Sequence, residues 1–178
     1  MAAASVFAQL LGTGFQHLSP IVARLHHLDG PTQWQGQCVI ERGRHPLARL
    51  CAWAARLPPG GQALATTVTL QRRAGQETWT RHFGGVPMRS TMWPWQGRLR
   101  ERLGLVQFDF QLAVQDGALT WNTRAVRLLG IVPLPAAWFA GVQCTEAADE
   151  QGRYTFDARA SLPLIGPIVH YRGGLLPH

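Results

Sequence analysis

The sequence predicts an α+β fold that is predominantly antiparallel β: a strongly curved sheet or barrel of about nine to ten strands, with two to three helices in the N-terminal half. Apolar and polar residues alternate with period two in many short segments bounded by Gly, Pro or Asp, as in half-buried strands. Helical periodicity is confined to the first third of the chain. With 178 residues, 46% hydrophobic and 15% charged, a single domain over residues 1–178 is expected.

The helices are predicted from apolar spacing and from helix-breaking residues. Over residues 5–28, apolar residues recur every three or four positions, and Gly12, Gly14 and the Ser19-Pro20 pair interrupt them. We therefore expect two short helices, the second with Ser19 as N-cap and Pro20 in its first turn. A third helix is predicted over residues 46–57, inserted after the first strand and ended by a Pro-Pro-Gly-Gly sequence.

The strands are predicted wherever alternation persists. They cover residues 33–42, 62–73, 77–83, 88–93, 98–103, 107–115, 119–123, 139–146, 153–160 and 168–172. Their regular spacing is typical of antiparallel barrels and sandwiches. A barrel of about eight or more strands has an interior that side chains fill or share with one small ligand. We therefore expect a hollow that can hold a small, mostly apolar or amphipathic molecule.

The charge of the chain is carried by one type of basic residue. All 17 basic residues are arginine, against 10 acidic ones, which gives a formal net charge of +7 and a pI near 10.9. The absence of lysine excludes Schiff-base, pyridoxal-linked and phosphate-loop lysine chemistry. The arginines are dispersed along the sequence apart from Arg72-Arg73 and the trio Arg98, Arg100 and Arg102. This dispersion does not favour nucleic acid as the partner. A membrane surface is a possible partner but is not favoured.

Cysteine usage and the start of the chain bear on localisation. Cys38, Cys51 and Cys144 are an odd number at wide spacing, as expected for free residues in a reducing compartment. The first eleven residues are alanine-rich but lack the basic flank and longer apolar core of a secretory signal. The sequence therefore predicts a cytoplasmic location.

The strand at residues 77–83 carries the most unusual pattern. Period two places Glu77, Trp79, Arg81 and Phe83 on one face, which we expect to be the inner one because of its two large aromatics. An interior glutamate and arginine then have to pair, since isolated buried charges are costly. Such a pair serves either to bind the polar head group of a ligand or as a structural salt bridge.

Glu101 and a group near the end of the last strand are the acid–base candidates. Glu101 lies between Leu99 and Leu103 and points inward by the same alternation. A buried carboxylate can act as general acid or base, unless Arg42 or Arg89 neutralises it. The other candidates are His170 and Tyr171, which are followed by Arg172 near the end of the last strand.

Known cofactor and metal motifs are absent from the sequence. It has no nucleophile elbow and no glycine-rich dinucleotide fingerprint after a first strand. Its seven histidines include no pair at metal-ligand spacing with a carboxylate or thiol nearby. We therefore predict neither a cofactor nor a metal.

Taken in order, several segments resemble a bacterial family, the domain of unknown function 4166. The matching residues are Leu11-Gly12, Phe15, Leu18, Gly36, Glu41-Arg42-Gly43, Leu57-Pro58-Pro59-Gly60, Glu77, Trp79, Arg81, Phe83-Gly84-Gly85, Arg89-Ser90, Glu101-Arg102-Leu103-Gly104, Leu129-Gly130, Pro133-Leu134-Pro135, Gly152-Arg153-Tyr154, Phe156-Asp157, Leu162-Pro163-Leu164-Ile165-Gly166 and Tyr171-Arg172-Gly173. The family has no established activity. Its members stand alone or are fused behind a saccharopine-dehydrogenase-like or short-chain-dehydrogenase-like NAD(P)-binding domain. The resemblance therefore implies a role beside an NAD(P)-dependent oxidoreductase.

Three hypotheses for the function remain open at this point. The leading one is a binding or accessory domain that encloses an apolar ligand. Its predicted ligand-binding residues are Arg42, Glu77, Trp79, Arg81, Arg89, Glu101 and Arg172. The second is an isomerase, hydratase or hydrolase that uses Glu101 or His170 as acid or base near Tyr171. The third is a purely structural partner domain, which requires a fully packed interior.

Overall fold

A computed structural model describes residues 4–27 and 30–178 of the chain. Its helices are α1 (Val6–Leu11), α2 (Pro20–His26) and α3 (Pro46–Ala54). Its strands are β1 (Thr32–Arg42), β2 (Gly61–Arg73), β3 (Gln76–Phe83), β4 (Val86–Trp95), β5 (Arg98–Leu103), β6 (Val106–Gln115), β7 (Ala118–Leu128), β8 (Val132–Leu134), β9 (Gly141–Ala148), β10 (Tyr154–Leu162) and β11 (Gly166–Pro177).

Ten of these strands form a closed antiparallel barrel. Strands β1 to β7 pair with their neighbours along the chain, β7 pairs with β9, and β9, β10 and β11 continue the sheet. The pairing of β11 with β1 completes the circle. The short strand β8 adds to the end of β7 outside this circle. The predicted fold class is therefore confirmed, and the barrel is closed.

The seam between β1 and β11 depends on two glycines. A Cβ atom on Gly36 would lie 1.9 Å from the carbonyl oxygen of Gly174, and one on Gly173 would lie 2.3 Å from that of Gln37. Any larger residue would force the two backbones apart. Glycine is thus required where the strands approach each other most closely.

Helices α1 and α2 plug one end of the barrel, which we call the plugged end. Phe7, Val22 and Leu25 are fully buried there against the interior side chains Trp79 and Trp121. The predicted start of α2 is confirmed, with Ser19 as N-cap and a proline in the first turn. A 3₁₀ helix over Gly12–His17 joins the two helices. The predicted helical segment ends at residue 28, which lies outside the described residues.

The opposite end, which we call the mouth, is formed by residues 42–61, 83–86, 103–106, 128–141 and 162–166. Helix α3 lies across it, and the backbone N–H of Leu105 donates to the carbonyl oxygen of Ala54. The helix ends at Ala54 rather than at residue 57, because Arg56 adopts a left-handed backbone with φ of 52°. Strand β9 starts two residues later than predicted, because Ala136–Phe139 forms a 3₁₀ helix.

Candidate functional site

A cavity of about 480 Å³ occupies the barrel between the plug and α3. Most of its lining is aliphatic or aromatic. Towards the plugged end it is lined by Leu25, Val68, Trp79, Phe110, Trp121 and Leu175, and towards the mouth by Leu50, Cys51, Trp53, Phe139, Leu162 and Ile168. The predicted hollow is therefore present in the structure. Its walls suit the apolar part of a small molecule.

Strand β3 presents the predicted face to the interior. Trp79, Arg81 and Phe83 are buried and line the cavity. The Arg81 guanidinium donates a hydrogen bond of 2.9 Å to Ser90 Oγ on β4 and lies 4.8 Å from the centre of the Trp79 ring. This cation–π contact and the single hydroxyl partner keep the arginine head at the cavity wall.

Glu101 on β5 is the carboxylate that faces Arg81. It lines the cavity, and its Oε1 lies 3.8 Å from Arg81 Nη2. At that distance the two groups form an ion pair, but they are too far apart for a hydrogen bond. Among the described residues, Arg81 thus donates one hydrogen bond although its guanidinium has five N–H donors. The remaining N–H groups are available to a ligand.

Glu77 is buried but is not the partner of Arg81, which corrects the expected pairing within β3. The two residues are four positions apart on one strand, and a strand rises about 3.3 Å per residue. Glu77 instead accepts a hydrogen bond of 2.7 Å from the backbone N–H of Val6 and lies 3.5 Å from the Trp79 indole nitrogen. Burial raises the pKa of Glu77. This carboxylate anchors α1 to the barrel and lies beyond the cavity lining.

A second polar cluster joins the plug to the cavity. The Nε2 atom of His26 on α2 is 2.5 Å from the Oε2 atom of Glu146 on β9, and both residues are buried. Glu146 and Tyr154 line the cavity. Burial, and then the nearby charge of Glu146, raises the pKa of Tyr154. The sequence pattern does not identify His26, Glu146 or Tyr154 as site residues. The one signal present is the alternation of Val142, Cys144 and Glu146, which puts these three side chains on one face of β9.

Tyr171 and Cys144 also line the cavity, from β11 and β9. Desolvation by burial raises the pKa of the Tyr171 hydroxyl and that of the Cys144 thiol. Both groups therefore remain protonated at neutral pH. In that form they offer weakly polar contacts to a ligand rather than a nucleophile.

Besides Glu77, four of the predicted site residues lie away from the cavity. Arg42 sits at the mouth and donates to the carbonyl oxygens of Leu57 and Pro58. Arg89 is exposed on β4, since it alternates with the inward residues Met88 and Ser90. The remaining two, His170 and Arg172, are on the outer face of β11.

The outward position of His170 and Arg172 follows from their spacing around Tyr171, because neighbouring strand residues point to opposite faces. His170 Nε2 lies 3.0 Å from the Asp157 carboxylate, and Arg172 pairs with Glu41 at 3.2 Å. The acid–base role considered for His170 is therefore corrected, because its side chain does not reach the cavity that holds Glu101.

The arginine trio of β5 shares the outer face, as predicted. Its middle member is not simply solvated, because Arg100 is buried and donates to both carboxylate oxygens of Asp109, at 2.6 and 2.8 Å. Arg127 donates to the same carboxylate at 2.9 Å. Arg100 and Arg127 therefore link β5, β6 and β7 through the Asp109 carboxylate on the outside of the barrel.

No group of three or more His, Cys, Asp or Glu side chains suited to a metal ion occurs in the described ranges 4–27 and 30–178. In the same ranges, none of the helices has the length and apolar character needed to cross a bilayer.

Comparisons with known proteins give a family and a likeness to solved structures. The family model described as Domain of unknown function (DUF4166) matches residues 18–175. No curated protein matches the chain. Among solved structures, the chain is similar to Rv2717c from M. tuberculosis, with 12% sequence identity and a TM-score of 0.46 over 90% of this chain and 99% of that one.

Proposed function

The chain belongs to the DUF4166 family, and we propose that it binds one small amphipathic molecule with an uncharged polar end inside its barrel. The observation that carries this proposal is the apolar cavity of about 480 Å³ with Arg81 and Glu101 in its wall. Ligand sites in proteins are mostly apolar hollows of about 300–1,000 Å³ with a few polar groups that fix orientation. The cavity has this size and composition.

A barrel interior that the side chains leave partly unfilled favours binding over a purely structural role. Protein interiors are normally packed to the density of organic crystals, and voids reduce the free energy of unfolding. A domain that serves only as a structural partner would gain from filling this space. The barrel instead keeps small residues, Ala158 and Ala160 on β10, in the cavity wall.

The interior charges favour an uncharged head group. Among the described residues of the lining, Arg81 is the buried cation, and it faces Glu101. Arg159 also contributes to the lining, but it is exposed and donates to Gln143. An anionic head group at Arg81 would be repelled by the Glu101 carboxylate, which already faces that arginine. A hydroxyl or primary amide can accept from the Arg81 guanidinium and donate to Glu101, which bridges the 3.8 Å between them. The expected ligand is therefore an alcohol or amide with an aliphatic body.

The head-group preference can be tested with decanol and decanoate, which share one chain. Calorimetric titration of lipid-free protein should show decanol binding, with decanoate binding weaker by about tenfold or more because its charge faces the Glu101 carboxylate. Arg81→Met should weaken decanol binding by about tenfold or more, the value of one hydrogen bond to a charged group. Arg89→Met, on the outer face of β4, is the matched control and should bind like wild type. Absence of decanol binding, or tighter binding of decanoate, contradicts the proposal.

The enzymatic alternative loses one of its two acid–base candidates, because His170 lies outside the barrel. Glu101 and Tyr171 do share the cavity lining. An accessory role beside an NAD(P)-dependent oxidoreductase stays a prediction, since it follows from the family resemblance alone.

A further inference from the structure

We propose that the mouth of the barrel is a docking surface for a lipid bilayer with anionic head groups. This proposal goes beyond ligand binding, because docking depends on the outer rim of the mouth and not on Arg81 or Glu101. It is argued from the placement of exposed apolar side chains, from the placement of charges, and from the position of the cavity opening.

Exposed apolar side chains are concentrated at the mouth. Among the described residues, every exposed large hydrophobic side chain except Trp95 and Leu176 lies there. They come from α3, from the turn between β3 and β4, from the segment between β7 and β9, and from the turn between β10 and β11. The members are Leu47, Leu50, Trp53, Val86, Leu129, Ile131, Val132, Trp138 and Leu164. A patch of this kind on a soluble domain marks an interaction site.

The shape of this patch suits insertion into a soft surface. Leu164 is fully exposed at the tip of its turn, and Ile131 and Trp53 have 76% and 69% of their surface exposed. They project from separate segments around the mouth instead of lining a groove for a protein chain. Two of the exposed side chains are tryptophans, a residue enriched at the level of lipid head groups.

The two ends of the barrel differ in their acidic residues, although arginines occur at both. The mouth segments contain no Asp or Glu, whereas the α3 segment at residues 42–61 carries Arg42, Arg44, His45, Arg49 and Arg56. In the described turns between strands, the acidic residues are Asp116, Asp149 and Glu150, all at the plugged end. Glu41, beside the mouth on β1, is paired with Arg172. The mouth therefore presents apolar tips beside an uncompensated row of arginines.

This combination identifies the occupant as an anionic bilayer rather than a second copy of the chain. Two copies docked mouth to mouth would bring their arginine rows together without an acidic residue between them. Anionic lipids strengthen binding by a factor of about five for each arginine near the surface, and the apolar tips add burial at the boundary of the acyl chains.

The cavity opens within the same surface. Leu50 and Trp53 on α3 line the cavity and are at the same time exposed at the mouth. A molecule leaving a bilayer beneath α3 would enter the cavity without crossing water. This last step, unlike docking itself, rests on the proposed binding function.

The test is co-sedimentation with vesicles at low ionic strength. Wild-type protein should bind vesicles that contain equal amounts of phosphatidylglycerol and phosphatidylcholine. Its affinity for pure phosphatidylcholine vesicles should be lower by about tenfold or more. Arg49→Gln, at the mouth, should weaken binding about fivefold. Ile131→Ser should weaken it by a similar factor or more, because the side chain no longer inserts. All changed positions are exposed, so circular dichroism should show folded variants.

Matched controls come from the plugged end. Arg73→Gln and Leu176→Ser make the same kinds of change there and should leave vesicle binding within twofold of wild type. The proposal is overturned if wild-type protein does not sediment with anionic vesicles, or if the controls lose as much affinity as the mouth variants. It is also overturned if the mouth variants abolish a dimer of the free protein while vesicle binding is absent. Loss of decanol binding with intact vesicle binding would contradict only the proposed ligand.

Discussion

Arg81 and Glu101 are buried charges that lie close to each other and to few other polar groups. About one tenth of each side chain is exposed, and the charged atoms are 3.8 Å apart in a mostly apolar cavity. Removing one member of such a pair leaves the other as an uncompensated buried charge, whereas removing both leaves none. The pair therefore couples the stability of the barrel to the chemistry of its cavity.

A double-mutant cycle tests this coupling. Arg81→Met and Glu101→Met should each lower the free energy of unfolding by about 3 kcal/mol, because each leaves an unpaired charge in the barrel. The double variant should lose about 1 kcal/mol, far less than the sum. Denaturant unfolding monitored by tryptophan fluorescence gives the three values. Additive losses would show that the two side chains do not interact.

At this scale the sequence predicts which side chains point inward but not which ones meet. Period two placed Trp79, Arg81 and Glu101 inside the barrel. The partner of Arg81 depends on the registers of β3 with β4 and β4 with β5, which no local pattern specifies. The contact between His26 and Glu146 spans 120 residues and forms only when α2 enters the barrel. Such contacts follow from closure of the sheet.

Helix α3 is held at the mouth by the turn between β5 and β6. Gly104 in that turn has a φ of +58°, and a Cβ there would lie 2.4 Å from the carbonyl oxygen of Ala54. The next residue, Leu105, donates its backbone N–H to the same oxygen at 2.8 Å. This glycine therefore controls how closely α3 covers the cavity.

The role of this turn can be measured with a pair of glycine substitutions. Gly104→Ala should lower the free energy of unfolding by about 1–2 kcal/mol for the left-handed backbone and by about 1–3 kcal/mol more for the clash with α3. Gly97→Ala is the control, since Gly97 has a φ of +72° with no atom within 4 Å. Hydrogen exchange should also be faster in α3 of the Gly104 variant only. Equal losses in the two variants would contradict the account.

The elements themselves were largely predictable, because helix and strand signals are local. Ser19 and Pro20 marked the start of α2, and alternation located the ten barrel strands. The short strand β8 was missed, because three residues give too little alternation and it forms only beside the end of β7. The 3₁₀ helices were missed for the same reason, since neither reaches the length at which periodicity is visible.

At the scale of the whole molecule, the fold leaves one end of the barrel without acidic residues in its turns. The arginines run through the chain with little clustering, which is why the sequence did not favour nucleic acid as partner. Closure of the barrel brings alternate connections to opposite ends, so the arginines of the α3 segment meet acid-free turns at the mouth. The net charge of +7 is therefore less informative than its distribution.

The central claim is that the cavity itself is the binding site, and filling it tests this claim most directly. Ala158 on β10 is buried in the cavity wall, whereas Ala113 on β6 is exposed on the outer face. Calorimetric titration with decanol should show binding to wild type and to Ala113→Phe, and a loss of about tenfold or more for Ala158→Phe, whose ring occupies the ligand volume. A folded Ala158→Phe variant that binds decanol as tightly as wild type would contradict the account.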